Sequence, residues 1–580
     1  MHYYLSGKQA RDIDRYTSET IGIPGIVLME RASLELANVI SELFESGTDV
    51  DCENRISLTD NQKNCIFPGA ASKKKILAVV GTGNNGGDAV AAARILKTRG
   101  HNAHVYEVNP HGKKTDSFLI QEKIAKNLGV GFMETLPENA SAEDLASAFS
   151  GFDVIIDGIF GVGLTRDVEG VYASAIKAIN IVGDARKKPV IVGCDIPSGT
   201  DSDTGLIKGC AVKCDITVTF GYNKLGLLIN DGRTFGGKII CKEIGLYKPA
   251  TTEEAKGLFE GVVAFEYDRE DIPEKLPARD PDSNKGTNGK VLIVAGSKDV
   301  FGAMYLCTSA CCAVGAGLVK VVTHDRNRDL LMDKLPEAMV LTYDDSILER
   351  SDELNTPLKS DTGLDGLESF NAKLSESVAW ADVVLIGPGL GTDDASRMLF
   401  KSTLSAMKRG QRLVLDADAL NVFSGMIEDD IKNLIHDTDD GSVVFTPHIG
   451  EMVRIMKGLG RDTSAEEIKK NPAEAAQWVS SRTGAVCVLK DARTVVADPE
   501  DDRIIYINTT GNSGMSKGGS GDVLAGITAG LLARTKKSSQ SVFETACAAV
   551  NIHGRAGDRA RESVGESCML AGNLIDELRR

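Results

Sequence analysis

The chain has 580 residues, with 66 lysines and arginines against 82 aspartates and glutamates and a net charge of −16. Hydrophobic residues make up 42% and charged residues 26%, the balance of a globular chain long enough to bury more than one core. That acidity excludes a phosphate-coating nucleic-acid binder and a polybasic membrane binder. Anionic ligands must then be held by backbone N–H groups, helix N-termini or single cations.

In chain order, residues 3–45 carry apolar residues at three- and four-residue spacing and read as helical. Residues 46–72 are polar and irregular, an inserted loop. Short buried strands then alternate with helical segments. KKKILAVVG precedes a Gly-rich turn and a helix that opens near Asp88 and ends at Gly100. AHVYEVN, FDVIIDGIF, PVIVGCDIP, CDITVTFG and GGKIICKEIG follow as strands. This alternation predicts an α/β fold with a doubly wound, mostly parallel sheet. Residues 246–275 are charged and contain proline, as a linker would. A second α/β series runs through KVLIVAGS, LVKVVTH, ADVVLIGPG, RLVLDADAL, SVVFTP, AVCVLK and IIYIN. Helices at 522–534 and 541–560 close it, and the acidic, Ser-rich stretch 342–378 reads as a surface excursion. The two series share no motif order, so the chain divides into two different doubly wound domains, 1–245 and 276–580.

The 12 cysteines form no CxxC pair, and most sit in apolar runs, as reduced thiols of a cytoplasmic protein do. The start, MHYYLSGKQARDID, lacks the pattern of a secretory signal, and no long apolar run spans a membrane.

Three strand ends of the first domain carry chemistry. GTGNNGGD at 81–88, DGIFGVGL at 157–164 and DIPSG at 195–199 each put glycines and an aspartate where open parallel sheets bind ligands. One such turn alone serves packing as readily as binding; three converging on one crevice point to a site. Together with MERAS at 29–33 they resemble the YjeF N-terminal family, the NAD(P)HX epimerases. The resemblance implies that Asn84, Asn85, Gly86, Gly87 and Asp88, with the loop Gly161, Val162, Gly163, Leu164, Thr165, Arg166 and Asp167, bind the hydrated nicotinamide nucleotide. It implies a potassium ion on Asn85, Asp157 and Ser198, whose oxygens suit a hard cation. It makes Asp195 the acid/base that protonates the departing hydroxyl and deprotonates the returning water. Ala89 stands where the family usually has glycine.

In the second domain GNSGMSKGGSGD at 511–522 is a Gly-rich turn ahead of a helix. Successive N–H groups there form an anion hole for a phosphoryl group, and Asp522 in the first turn is placed to accept a hydroxyl proton. With NKGTNGKVLIVAGS, GAGLVKV, PEAM, GPGLGTD, DADALN and TPHIGEM, this stretch resembles the ribokinase-like NAD(P)HX dehydratases. Asn284, Ser513 and Lys517 depart from the commoner residues, and Lys517 is either a phosphate contact or a solvated cation. The resemblance places the hydrated nucleotide against Ala303, Gly391, His448 and Asp522, with Glu451 and Arg454 nearby. It places ADP, escorted by Mg²⁺, against Lys490, Asp491, Ala492, Arg493 and Thr494 and against Gly518, Gly519, Ser520 and Gly521.

The implied activity is bifunctional repair: epimerisation of R- and S-NAD(P)HX, then dehydration of the S form to NAD(P)H at the expense of ADP, yielding AMP and phosphate. Small molecules are the expected partners, with a homo-oligomer as the expected assembly. Two alternatives stay open on the residues alone. One is ATP in place of ADP; the other is a vitamin or sugar kinase fused to a non-catalytic binding domain.

Overall fold

A computed structural model describes residues 1–45, 73–276, 279, 281–344, 364–426, 442–536, 538 and 540–580. The expected inserted loop 46–72 lies outside the described residues. The chain forms two compact units, Tyr3–Val263, and Ala264–Arg580 together with Met1 and His2.

The first unit contains strands β1 (His2–Leu5), β2 (Lys75–Val80), β3 (Asn102–Glu107), β4 (Gly131–Phe132), β5 (Val154–Gly158), β6 (Val190–Cys194), β7 (Ile216–Phe220), β8 (Asn223–Lys224) and β9 (Lys238–Lys242). Seven of them make a parallel sheet in the order β4-β3-β2-β5-β6-β7-β9. Ile76 to Val80 are completely buried, because helices cover both faces of a parallel sheet and leave no polar side. Gly158 at the end of β5 lies under the helix Asn84–Thr98: a Cβ there would come within 2.5 Å of Ala89 Cβ. That close approach lets the helix start overhang the strand ends.

Two sequence expectations are corrected here. Residues 3–45 are not helical throughout: Tyr3 to Leu5 belong to β1, whose Tyr4 and Leu5 pair in parallel with Asn223 and Lys224. Helices follow at Gly7–Tyr16 and Gly25–Glu45. Ser6 caps the first of these through a reciprocal pair with Gln9, a local signal that hydrophobic spacing does not register. The helix expected near Asp88 opens at Asn84, so the asparagines themselves form its first turn.

The stretch 246–275 contains a helix Thr252–Leu258, strand β10 (Val263–Glu266) and a short helix Ile272–Lys275.

In the second unit the strands are β11 (Lys290–Val294), β12 (Leu318–His324), β13 (Met339–Tyr343), β14 (Val383–Ile386), β15 (Arg412–Leu415), β16 (Val443–Phe445), β17 (Val486–Leu489), β18 (Thr494–Ala497) and β19 (Ile504–Asn508). They follow the order β13-β12-β11-β14-β15-β16-β17-β18-β19. Pairing is parallel as far as β17, then antiparallel through β18 and β19. The helix Ser520–Thr535 packs on Phe301–Ala313 so closely that a side chain at Gly526 would strike the Cys307 carbonyl. The expected excursion 342–378 is corrected in its described part: Leu364–Trp380 is a helix that buries Phe370, Leu374 and Val378.

Candidate active sites

The first unit holds a cavity of about 640 Å³ at the carboxyl end of its sheet. Gly83, Asn84, Asn85 and Asp88 line it from the start of Asn84–Thr98, Gly161 to Arg166 from the β5 loop, and Asp195 from the end of β6. The three expected motifs are thus brought together. Gly86 and Gly87 are buried and serve packing, Gly87 against Met29 and Phe118. Asp167 is exposed and outside the lining.

Asp195 has φ +67°, a left-handed conformation that aspartate tolerates better than most residues and that turns its side chain off the strand line. Its Oδ1 accepts hydrogen bonds from Thr219 Oγ1 at 3.1 Å and Phe220 N at 3.2 Å, and from the ammonium of Lys224. Lys224 is only 3% exposed and also donates to Thr219 Oγ1 at 2.8 Å. Sequence reasoning missed it, because a lone lysine after a strand reads as solvated. Asp14, on the helix Gly7–Tyr16, lines the same cavity and was also missed. Burial lifts its carboxyl, and Asp195 adds repulsion. Burial lifts Asp88 well above the ordinary range; Asp195 and Asp14 repel it further, and Lys224 opposes.

Behind the cavity, Asp157 is fully buried. Its Oδ2 accepts from Ser198 N at 2.7 Å, and its Oδ1 from Ser198 Oγ at 2.6 Å. Burial pushes it up to about 6, against those hydrogen bonds. Asn85 Nδ2 donates to the Phe160 carbonyl at 2.9 Å, while Asn85 Oδ1 is buried with no described partner. An orphaned amide oxygen beside a carboxylate, a hydroxyl and a carbonyl is a donor set that fits potassium. Among the described residues no group of three or more His, Cys, Asp or Glu could hold a metal ion.

In the second unit the cradle turn Gly518–Gly521 leads into Asp522. Gly519 has φ +95°, and a Cβ there would come within 2.6 Å of Leu306 Cδ1. The turn is braced from the helix Val542–Val564. Asp558 accepts from Gly511 N at 2.9 Å and Asn512 Nδ2 at 3.0 Å. His553 Nε2 lies 3.0 Å from the Ser520 carbonyl, and burial lowers its pKa to about 4, so it is neutral. Lys517 is exposed and donates to the carbonyls of Ser567 and Met569, both at 2.7 Å.

Lys490 turns away from its neighbours Asp491 and Ala492, which are exposed, and donates to Asp416 Oδ1 at 2.6 Å. A Cβ on Gly521 would lie 3.3 Å from its Nζ, so the ammonium stands beside the cradle. Burial pushes Asp522 up to about 7; Asp416 adds repulsion and Lys490 opposes. Burial also lifts Glu451, whose Oε2 accepts from His448 N at 2.8 Å. His448 caps the helix Ile449–Gly458, its Nδ1 accepting from Gly450 N at 2.9 Å, and burial lowers its pKa.

Gly391 N donates to Asp418 Oδ2 at 2.8 Å, and Arg454 Nε to Asn421 Oδ1 at 2.8 Å. Ala303 abuts Gly389, a Cβ on which would come within 3.0 Å. Of the expected residues, His448, Glu451, Arg454, Gly521 and Asp522 gather around Asp416 and Lys490, whereas Asp491 and Ala492 are exposed and Arg493 and Thr494 lead into β18. Of these, Asp416 was missed as a site residue although its motif was visible. The arrangement can anchor phosphates on N–H groups and an ammonium while a carboxyl of raised pKa accepts a proton.

A cavity and a charged cluster of this kind define a two-site enzyme of nucleotide chemistry, and comparison with known proteins bears this out. Residues 25–226 match the family model described as YjeF-related protein N-terminus, and residues 291–580 that described as NAD(P)H-hydrate dehydratase. The chain belongs to the bifunctional NAD(P)H-hydrate repair enzymes. It is 32% identical over 578 residues to the Moorella thermoacetica repair enzyme, covering 99% of this chain and 96% of that one. It is 32% identical over 511 residues to the Escherichia coli repair enzyme, covering 87% and 84%. An ADP/ATP-dependent NAD(P)H-hydrate dehydratase structure from Bacillus subtilis is 27% identical, covering 54% of this chain and 95% of that one with a TM-score of 0.42. No helix among the described residues is long and apolar enough to cross a membrane.

Proposed function

We propose that residues 1–245 interconvert the R and S epimers of hydrated NAD(P)H and that residues 276–580 dehydrate the S epimer using ADP. The observation that carries the second half is Asp522, held at a pKa of about 7 behind a glycine cradle flanked by Lys490. Hydroxide is a poor leaving group, so the ring hydroxyl must first be activated. Its oxygen attacks the terminal phosphoryl group of ADP, its proton passes to Asp522, and AMP leaves. Cradle N–H groups and the Lys490 ammonium stabilise the charge in transit. The ring nitrogen then expels phosphate, and loss of a proton from the adjacent carbon restores the dihydropyridine.

In the first half the ring nitrogen expels the hydroxyl as water, and water returns to the opposite face. Asp195, kept in place by Lys224, Thr219 and Phe220, serves as acid/base. Asn84 and the loop Gly161–Arg166 enclose the nucleotide. Potassium would sit on Asn85, Asp157 and Ser198, supplying a fixed positive charge behind that loop; the orphaned Asn85 oxygen supports it. Mg²⁺ would neutralise the phosphates of the nucleotide in the second site. A homo-oligomer acting in the cytoplasm belongs to the same reading.

The test is a mixed R/S sample of hydrated NADH incubated with ADP. Complete recovery of the reduced-nicotinamide absorbance at about 340 nm is the expected result. Recovery with ATP alone replaces ADP; no recovery with either nucleotide overturns the dehydratase half, and arrest near half overturns the epimerase half.

A further inference from the structure

We propose that epimerisation uses two carboxyl groups, Asp88 and Asp195, one for each face of the nicotinamide ring. The inference rests on the epimerase reading of the first unit and deepens it. Inverting the carbinol carbon requires water to leave one face and return to the other. A single carboxylate can serve both steps only if the ring or the water crosses between faces, and a second group on the far side removes that need.

The cavity supplies a second group rooted in a different layer. Asp195 rises from the end of β6, in the sheet. Asp88 descends from the helix Asn84–Thr98, which overlies the strand ends, with Asn85 O 3.8 Å from Cys194 Sγ. Both line the cavity. Their surroundings differ in the sense that separates an acid from a base. Asp195 accepts three hydrogen bonds, one from a buried ammonium. For Asp88, burial and the neighbouring carboxylates favour the neutral acid, and no hydrogen bond from a described residue supports its charge.

In one direction Asp88 gives its proton to the ring hydroxyl. The C–O bond breaks, water leaves, and the nitrogen lone pair forms the C=N bond. A water on the other face then attacks that carbon. The π pair returns to nitrogen, and Asp195 takes the proton. Exchange with solvent restores both groups, and the opposite epimer runs the same steps in reverse.

The experiment uses the full chain, without nucleotide, on the separated R and S epimers of hydrated NADH in oxygen-18 water, with the enzyme-free rates subtracted. Wild-type protein should interconvert the epimers and label both. Asp88→Asn should slow interconversion at least about 100-fold while label still enters one epimer, with its configuration retained. Asp195→Asn should retain labelling of the other epimer only. Asp88→Ser, equally uncharged and smaller, should repeat the Asp88→Asn pattern, and matching melting curves establish that the variants are folded. The proposal is overturned if Asp88→Asn interconverts at the wild-type rate, or if the one-sided labelling appears in Asp14→Asn instead. Wild-type protein that neither interconverts nor labels overturns the epimerase reading itself.

Discussion

Lys490 Nζ lies 2.6 Å from Asp416 Oδ1, while the other carboxyl oxygen of Asp416 is buried without a described partner. Asp416 is 1% exposed, so the pair is a charge device set into the floor of the second site. Thr446 Oγ1 also donates to Oδ1, at 2.7 Å, which aims the carboxylate at the ammonium. Removing the lysine alone strands a buried carboxylate. Lys490→Met should lower the unfolding free energy of this unit by about 3 kcal/mol and abolish dehydration. Asp416→Leu combined with Lys490→Met should recover most of the stability and none of the activity. Denaturant melts beside turnover assays separate the two effects.

Dehydration should follow the ionisation of Asp522. Because its pKa is raised to about 7 and the proton acceptor must be the carboxylate, the rate should rise with pH and level off above that value. Below it the rate should fall about tenfold per pH unit. His553, lowered to about 4, adds no protonation step across that range. A flat profile between pH 5 and about 8 would remove Asp522 from the role.

The same raised pKa makes Asp522 a stability cost. Its folded-state pKa lies above the unfolded value, so the folded protein binds more protons and loses stability as pH rises from about 4 towards 7. Asp522→Asn should therefore be inactive yet more stable above pH 7, by roughly 1–3 kcal/mol. Thermal melts at acid and alkaline pH should converge at the acid end.

Gly519→Ala probes the cradle. Its φ of +95° disfavours any side chain, and the new Cβ would meet Leu306 at 2.6 Å and Ala571 at 2.9 Å. About 1–2 kcal/mol of strain should appear as a lower melting temperature, with a raised KM for ADP. Gly518→Ala, which meets nothing within 4 Å and has no positive φ, should leave stability unchanged.

Lys224→Met should uncouple the two halves. Asp195 loses its ammonium partner, so epimerisation should fall about 100-fold or more. Dehydration of purified S epimer should persist, and a mixed R/S sample should stop near half conversion. Full conversion at the wild-type rate would exclude Lys224 from the first site.

The alternation of buried strands with helices was legible because a parallel sheet covered on both faces writes itself as unbroken apolar runs, as Ile76–Val80 does. The glycine turns were legible because only glycine tolerates such approaches, and their order along the chain named the family. Lys224, Asp14 and Asp416 were not read as site residues. A lysine, an aspartate on a polar helix and an aspartate at a strand end have ordinary local contexts. Their chemistry arises from neighbours distant in sequence: Lys224 meets Asp195 across 29 residues, and Lys490 meets Asp416 across 74. Lys517, within the phosphate motif, likewise meets partners distant in sequence, carbonyls 50 and 52 residues away. Local sequence thus settled which backbone shapes form and in what order, since these depend on periodicity and glycine content. Only the folded chain decided which charges share a desolvated crevice, because burial and pairing belong to three-dimensional neighbours and not to sequence adjacency.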